Sequence, residues 1–542
     1  MRILGASIGN CVHVGGIVNF LKLAEKHGYE TEFLGPATPV QRVVEEFARR
    51  PPEILALSYR LTPETGRSVL MEVADAKKAG RFGTARLIFG GTPEVAKIAS
   101  ELGIFDWVVT GTESIPELEA RLTGEIASMP PESYPDTLLG RVAAARPMPI
   151  LRHHFGRPDL QETIDGCRRI AESRVLDVIS IAPDQNAQEF FFHPEQMREE
   201  LTGAGGVPVR RPQDLQALYE ASRCGNYPLL RCYSGTNELV KWAQMLNGTI
   251  RVAWGAVPLF WYSQLDGRST RPLEVSIKEN LEAIAWYVAN GIPVEMNESH
   301  HWSLRNAHDA VAVASAFLAA YNAKQQGATT YVQQLMFNNP PGTSPGMDLA
   351  KMLAKLEVLE SLRSRDFGIV KEVRTGLTSL PLDRDVAKGH LGSSIHTMIA
   401  LKPDVLHVVG YSEADFAATP EVVIESCRIA CGAIRNAILG QPDPLADPAV
   451  RARKDRLVNE ARFLLAAIKE EFGSMVANPW SDPKALAGAV KAGILDAPHL
   501  VGNKAARGET VTKLVNGGWD AVNPKTGDVL TEAERLKLLG ID

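Results

Sequence analysis

Several stretches of the chain set chemically capable side chains where a turn or a strand end would present them. GASIGNCVHVGG (5–16) follows the apolar run RILGAS and aims one imidazole, His13, out of a glycine-flanked bend beside Cys11. A phosphate loop would not need the ring, and a plain turn would need neither ring nor thiol. The glycines do not fit G-x-G-x-x-G, and no acidic residue ends TEFLG (31–35), so a dinucleotide site is disfavoured. MNESHHWSLRNAHD (296–309) gathers Glu298, His300, His301 and His308. Adjacent histidines point in different directions, and no carboxylate or cysteine stands at a standard zinc interval, so hydrogen bonding by Asn297, Glu298 or His300 is the better reading. Arg374, ending GIVKEVRTG, is a candidate anion contact. In FNNPPGTSPGMD (337–348), Asn338 and Asn339 either reach a ligand or stabilise a rigid turn. No Ser-His-Asp or Cys-His arrangement competes, and Cys427 and Cys431 share one helical face as small buried residues.

The elements that must hold these residues alternate. In the first 125 or so residues, the strands RILGAS, TEFLG, EILALSY (53–59), RLIFGG (86–91) and WVVTGT (107–112) are separated by amphipathic helical segments. That order predicts a parallel, doubly wound sheet with its loops GNCVHVGG, SYRLTPETG, GGTPE and GTES over the strand carboxyl ends. Proline-rich SMPPESYPDTLLGRVAAARPMP reads as a linker. Seven further strands follow: 175–182, 227–235, 248–255, 291–297, 328–337, 368–376 and 404–411, with an eighth expected near 207–210. Their spacing suggests a (β/α)8 barrel. His153-His154 is expected in the barrel's first strand or on the surface. A charged helix, RARKDRLVNEARFLLAAIKEEFG, and a loop-rich tail end the chain. The expected domains are 1–127, a linker over 128–150, a barrel over 151–445, and a tail over 446–542 that packs on it.

Composition narrows the classes. The chain has 542 residues, enough for two or three domains, with 45% hydrophobic and 23% charged residues and a net charge of −6. That balance gives no electrostatic case for nucleic acid or an anionic membrane. No apolar run reaches bilayer-spanning length, no signal-peptide pattern opens the chain, and six cysteines without a CxxC pair form no disulfide framework. A reduced, cytoplasmic protein acting on a small molecule is expected.

Taken in order, His13-x-x-Gly16, Ser58 in ALSYRLT and Gly90-Gly91 resemble a family signature: the D-x-H-x-x-G, S-x-L and G-G of the cobalamin-binding domains of adenosylcobalamin mutases and methionine synthase. The resemblance covers the whole first domain, including the turn Gly111–Glu113. It implies a flavodoxin-like (Rossmann-like) doubly wound cobalamin-binding domain with His13 as the lower ligand of cobalt. It further implies Gly15 and Gly16 beside the cofactor's displaced nucleotide tail, Gly90 and Gly91 as a floor, and Ser58 on its base. Leu61, Gly111 and Asn338 join the implied cofactor contacts. Two departures stand out. Cys11 occupies the place of the aspartate that orients the ligand histidine, which predicts a less strongly polarised ring. Leu61 follows Ser58 by three positions rather than two.

PLLRCYSGTNEL (228–239), LPLDRDVAKGHLGSSIHTMIALKPDVLHVV (380–409), TPEVVIESCRIACGAIRNAILGQ (419–441) and the tail AGAVKAGILDAPHLVGNKAARG (487–508) resemble the catalytic subunit of glutamate mutase (methylaspartate mutase). This implies a TIM barrel that carries a radical carbon-skeleton rearrangement with adenosylcobalamin, fused here behind its cobalamin domain, and a homodimer through the barrel. Arg210 or Arg211 falls where the family places one substrate-carboxylate arginine. Tyr233 takes the place of a second, with Arg231 close by, and Trp254 replaces the glutamate that handles the amino group. With Arg374 and Glu298, these imply a carboxylate-bearing substrate other than glutamate. Two alternatives stay open: a corrinoid-dependent methyltransferase, whose usual helical cap domain is not found ahead of the first strand, and a non-catalytic corrinoid carrier or sensor.

Overall fold

RILGAS forms β1 (Arg2–Ser7), and the next four apolar runs form β2 (Glu30–Phe33), β3 (Ile54–Tyr59), β4 (Arg86–Gly91) and β5 (Trp107–Val109). The structure is a computed structural model describing residues 1–111, 113, 118, 121, 122 and 134–541. It divides into two units, Met1–Met129 and Pro130–Asp542.

In the first unit the five strands run parallel in the order β2-β1-β3-β4-β5, the flavodoxin-like order. Four helices, α1 (Gly15–Lys26), α2 (Val40–Arg49), α3 (Pro63–Lys78) and α4 (Pro93–Leu102), connect them. Neighbouring strand residues serve opposite faces. Leu4, Leu55 and Phe89 enter one apolar cluster, whereas Ile3, Ile54 and Ile88 enter the other. Both faces are therefore covered, and β1 and β3 are buried along their whole length.

The second unit is an α/β barrel. Its strands are β6 (Ile150–Phe155), β7 (Val178–Ile181), β8 (Leu229–Cys232), β9 (Gly255–Ala256), β10 (Val294–Glu295), β11 (Thr330–Phe337), β12 (Gly368–Thr375) and β13 (Val405–His407). They form one parallel eight-stranded sheet, β8-β7-β6-β13-β12-β11-β10-β9. The Ala253 N–H donates to the Leu230 carbonyl at 2.8 Å, bringing the segment before β9 to β8 and nearly closing the ring.

Two details differ from the expected strands. The eighth strand is β6, the first-strand placement expected for His153-His154, rather than 207–210, where Val207 makes only an isolated bridge to Pro183. The stretch GTIRVAWG is helical up to Ile250, because Trp242, Leu246 and Ile250 continue one buried helical face. Arg251, with φ of +47°, ends that helix, and only Gly255–Ala256 pair as strand.

The span 128–150, expected as a linker, carries a helix over Leu138–Ala145 and the first residue of β6; residues 128–133 lie outside the described residues. That helix packs Leu138 and Val142 against Ile150, Val178, Leu229, Val332, Val370 and Val405. These are early residues of parallel strands, so the group plugs the amino-terminal end of the barrel and leaves the other end for chemistry. The charged segment forms the helix Pro448–Phe472. Leu457, Leu464, Leu486, Ile494 and Leu536 share one apolar cluster with barrel residues, so the tail is part of the barrel's core. No helix among the described residues is long and apolar enough to cross a membrane.

Candidate functional site

Above the apolar plug, the strands turn polar side chains inward. Arg152 on β6 donates to Glu372 on β12 at 2.5 Å and to Ser180 on β7 at 2.7 Å. Arg231 on β8 donates to Glu295 on β10 at 2.7 Å, and the Trp254 indole N–H reaches the same oxygen at 2.7 Å. Gln334 on β11 donates to both carboxylates, at 3.2 and 3.1 Å. Burial by itself would raise the pKa of Glu295, but Arg231 and Arg152 outweigh it and hold the carboxyl below its ordinary range. Each charge in this layer has an opposite charge beside it, which is the condition for keeping ions out of water.

One level higher lies a cavity of about 880 Å³ at the carboxyl ends of the strands. His154 stacks on Tyr233 with ring centroids 4.5 Å apart and planes within 22°, and His407 meets His154 edge-on at 4.4 Å. Arg374 from the end of β12 joins them, and His300 and His301, 4.3 Å apart, line another side. Burial pushes the His154, His300, His301 and His407 pKa values well below the ordinary histidine value, and that of His153 down to about 4. These rings are neutral at pH 7. Burial drives the Tyr233 phenol up to about 12. The histidine and tyrosine side of the cavity is thus a neutral hydrogen-bonding surface with Arg374 set into it, while Glu189, Glu413, Asp266, Arg198 and Arg268 line the rest.

Of the expected substrate residues, the structure brings Tyr233, Arg374, Asn297 and His300 to this cavity, and the others elsewhere. Arg210 is held in a two-pronged pair with Asp184, at 2.9 and 2.6 Å. Asp184 in turn caps the helix Gln185–Phe190, so this arginine ties a loop together. Arg211 pairs with Asp214 in the next helix. Arg231 lies below the cavity, bound to Glu295. Trp254, Phe260 and Trp261 are fully buried core, as is most of Tyr262, whose edge reaches the cavity.

Glu298 faces away from the cavity and accepts the N–H groups of Leu259, Phe260 and Trp302 at 2.9, 3.1 and 2.8 Å, which fastens the 259–262 wall. Burial pushes its pKa up to about 7. Asn338 has φ of +55°, donates its N–H to Asp348 at 2.6 Å, and buries a side-chain oxygen without a partner. His308 is drawn into a buried group with Glu532, Asp520 and Glu460.

The sequence places His153-His154 in the first barrel strand or on the surface without a role at the site, and does not single out His407. The available signal was a polar residue interrupting an apolar parallel strand, as in PILRHHF and DVLHVV.

In the first unit, the loop after β1 leaves His13 exposed, and among the described residues its ring makes no hydrogen bond. A Cβ added at Gly15, Gly16, Gly90 or Gly111 would meet no atom within 4 Å. Gly91 differs: a Cβ there would lie 2.9 Å from Phe89 and 3.0 Å from the Tyr59 carbonyl, so internal packing already requires it. Ser58 stands in register between Ser7 and Gly90, and its buried hydroxyl has no partner among the described residues.

Cys11 sits in the apolar cluster with its sulfur accepting the Arg60 N–H at 3.3 Å, so the thiol anchors the loop rather than orienting His13. Leu61 packs half-buried on the same cluster. Glu113 closes the later turn by accepting from Thr110 and Gly111 at 2.9 Å; Thr112 lies outside the described residues.

No protein-family model matches the chain, and no curated protein is similar to it. Among solved structures, a novel cobalamin-binding protein from Desulfitobacterium hafniense DCB-2 is similar over 22% of this chain at 25% identity, with a TM-score of 0.20. The matched part spans 57% of that protein's length.

Proposed function

We propose that this protein is a cobalamin-dependent isomerase that rearranges the carbon skeleton of a carboxylate-bearing small molecule other than glutamate, using adenosylcobalamin. The observation that carries the cofactor assignment is the sheet edge of the first unit. There an exposed, unbonded imidazole, three glycines facing open space and an orphaned buried hydroxyl belong to the first, third and fourth strand ends. A metal-centred ring with a long polar tail requires such a set: one nitrogen ligand, backbone that can be approached closely, and a hydrogen-bond donor for the tail. His13 would hold the cobalt, Gly15, Gly16 and Gly90 would face the tail, and Ser58 would bond it.

When bound, the cofactor supplies a carbon-centred radical by homolysis of its cobalt–carbon bond. The chain's own part is to bind and shield. Arg374 holds the substrate carboxylate, the His154–Tyr233 stack and His407 fix its position, and the closed lower end of the barrel keeps water from the reacting carbon. Assembly as a homodimer through the barrel belongs to the same reading, and sedimentation velocity measures it.

The test loads the full chain and His13→Ala with adenosylcobalamin and compares their visible spectra after gel filtration. Retention by the wild type with a spectrum that His13→Ala loses is expected. Superimposable spectra overturn the ligand, and no retention by the wild type overturns the cofactor. Anaerobic incubation with a panel of carboxylic acids, read by NMR for skeletal isomers, tests the reaction. No isomer from any acid, with cobalamin retained, would favour the carrier.

A further inference from the structure

The charges around the barrel cavity limit what it can hold. Three arginines line it. Arg268 has Asp266 within 3.8 Å, and Arg198 has Glu200 within 3.9 Å. Arg374 is 7% exposed, and among the described residues it has no carboxylate within 4 Å; its nearest polar contact is the Thr375 carbonyl, 3.4 Å from Nε. Glu413, which also lines the cavity, and Glu372 act on Arg374 only from beyond that distance, so its desolvation is only partly offset and an anion in direct contact would complete it. One such cation serves one anionic group. Of the carboxylates below the histidines, Glu295 and Glu372 are paired with Arg231 and Arg152, whereas Glu189 and Glu413 line the cavity from its more exposed side.

The remaining inner wall is neutral and has hydrogen bonds to offer. The Nε2 of His154 faces the Arg152 guanidinium at 3.2 Å, and a guanidinium only donates, so Nε2 accepts. The neutral ring then carries its hydrogen on Nδ1, which is buried and has no partner among the described residues. Nδ1 of His407, whose ring meets that of His154, is likewise unpartnered, 3.9 Å from Glu372. Burial and the Arg152 charge keep both rings neutral, so they present dipoles rather than a second positive charge.

We infer that the ligand of this cavity is a monocarboxylate bearing a neutral oxygen, a hydroxyl or carbonyl, with its carboxylate on Arg374 and that oxygen against the His154 imidazole. A dicarboxylate would leave one charge facing neutral rings, and an amino acid would place its ammonium beside them. This deepens the proposed function and rests on its assignment of the barrel cavity as the substrate site.

Calorimetric titration of the full chain without cobalamin, using butyrate, 3-hydroxybutyrate, succinate and glutamate, tests it separately from the cofactor assignment. 3-Hydroxybutyrate is expected to bind about tenfold more tightly than butyrate, one hydrogen bond's worth, with succinate and glutamate weaker than both. His154→Phe keeps a ring on Tyr233 and should abolish the preference for the hydroxy acid over butyrate. Arg374→Met should abolish binding of all four, and Arg374→Lys, which keeps the charge, should restore part of it; circular dichroism reports whether each variant is folded. Tighter binding of succinate or glutamate, an unchanged preference in His154→Phe, or no binding of any acid by the wild type would overturn the inference. Failure of the cobalamin reading appears instead as loss of cofactor retention, which this titration does not involve.

Discussion

Arg231 donates to Glu295 at 2.7 Å in the middle of the barrel, where the two side chains are 1% and 0% exposed. Glu295 also receives the Trp254 indole and Gln334, so it is the acceptor on which one side of the polar layer converges. Removing one partner of a buried pair strands the other charge and costs roughly 3–5 kcal/mol. Glu295→Ala and Arg231→Met are each expected to lower the unfolding free energy by that order, read as a lower urea midpoint, and the Glu295→Met/Arg231→Met double variant to recover part of the loss. Unchanged midpoints in the single variants would show that the pair does not hold the layer.

His308 predicts a pH dependence. Burial opposes its charge, but hydrogen bonds to Asp520 and Glu532, with the charges of Glu532 and Glu460, outweigh it and raise the pKa to about 9. Arg453 and Arg456 face the same acidic group through Asp520. A raised folded-state pKa means that stability from His308 is complete below its unfolded value of about 6.5 and is lost as pH rises through about 9. At about 1.36 kcal/mol per unit, that contribution is on the order of 3 kcal/mol. Thermal denaturation should show wild type well above His308→Gln near pH 6, with the gap closing toward about pH 9.5. A gap independent of pH would mean the imidazole is not charged in the fold.

The sheet edge of the first unit separates packing from binding. Ser58→Ala removes a hydroxyl that has no partner among the described residues, so thermal stability should hold or rise while adenosylcobalamin binding weakens about tenfold. At Gly90 and Gly15 an added Cβ meets no atom within 4 Å, so Gly90→Val and Gly15→Val should leave the melting temperature within about 2 °C while abolishing cofactor binding. Gly91→Ala, pressed against the Tyr59 carbonyl, should instead destabilise the domain. Differential scanning fluorimetry and absorbance titration read the two effects separately. Cofactor affinity unchanged in Ser58→Ala and Gly90→Val would place the cofactor elsewhere.

Much of the fold was legible because both units are built from parallel strands buried on both faces. Such strands appear as short apolar runs between amphipathic helices, and β1 and β4 match their expected limits residue for residue. The errors fall where that signal fails. β6 follows a proline-rich stretch and carries Arg152, His153 and His154, so it does not read as apolar. The segment before β9 is β-branched and apolar, yet it continues a helix because Ile250 completes a buried helical face.

By itself, the sequence determined the order of strands and helices, the two α/β units, and the set of loops bearing His13, Ser58 and the glycines. Those follow from periodicity and from residue types that only certain backbone conformations accept. Tertiary structure alone decided which charges are committed and which are free. Arg210, Arg231 and Arg374 read alike as arginines near strand or loop ends. Only the packed barrel brings Asp184 to the first and Glu295 to the second, and leaves Arg374 without a counter-charge within 4 Å among the described residues. The physical reason is that ion pairing acts over a few ångströms between residues tens of positions apart, a proximity that chain order does not encode.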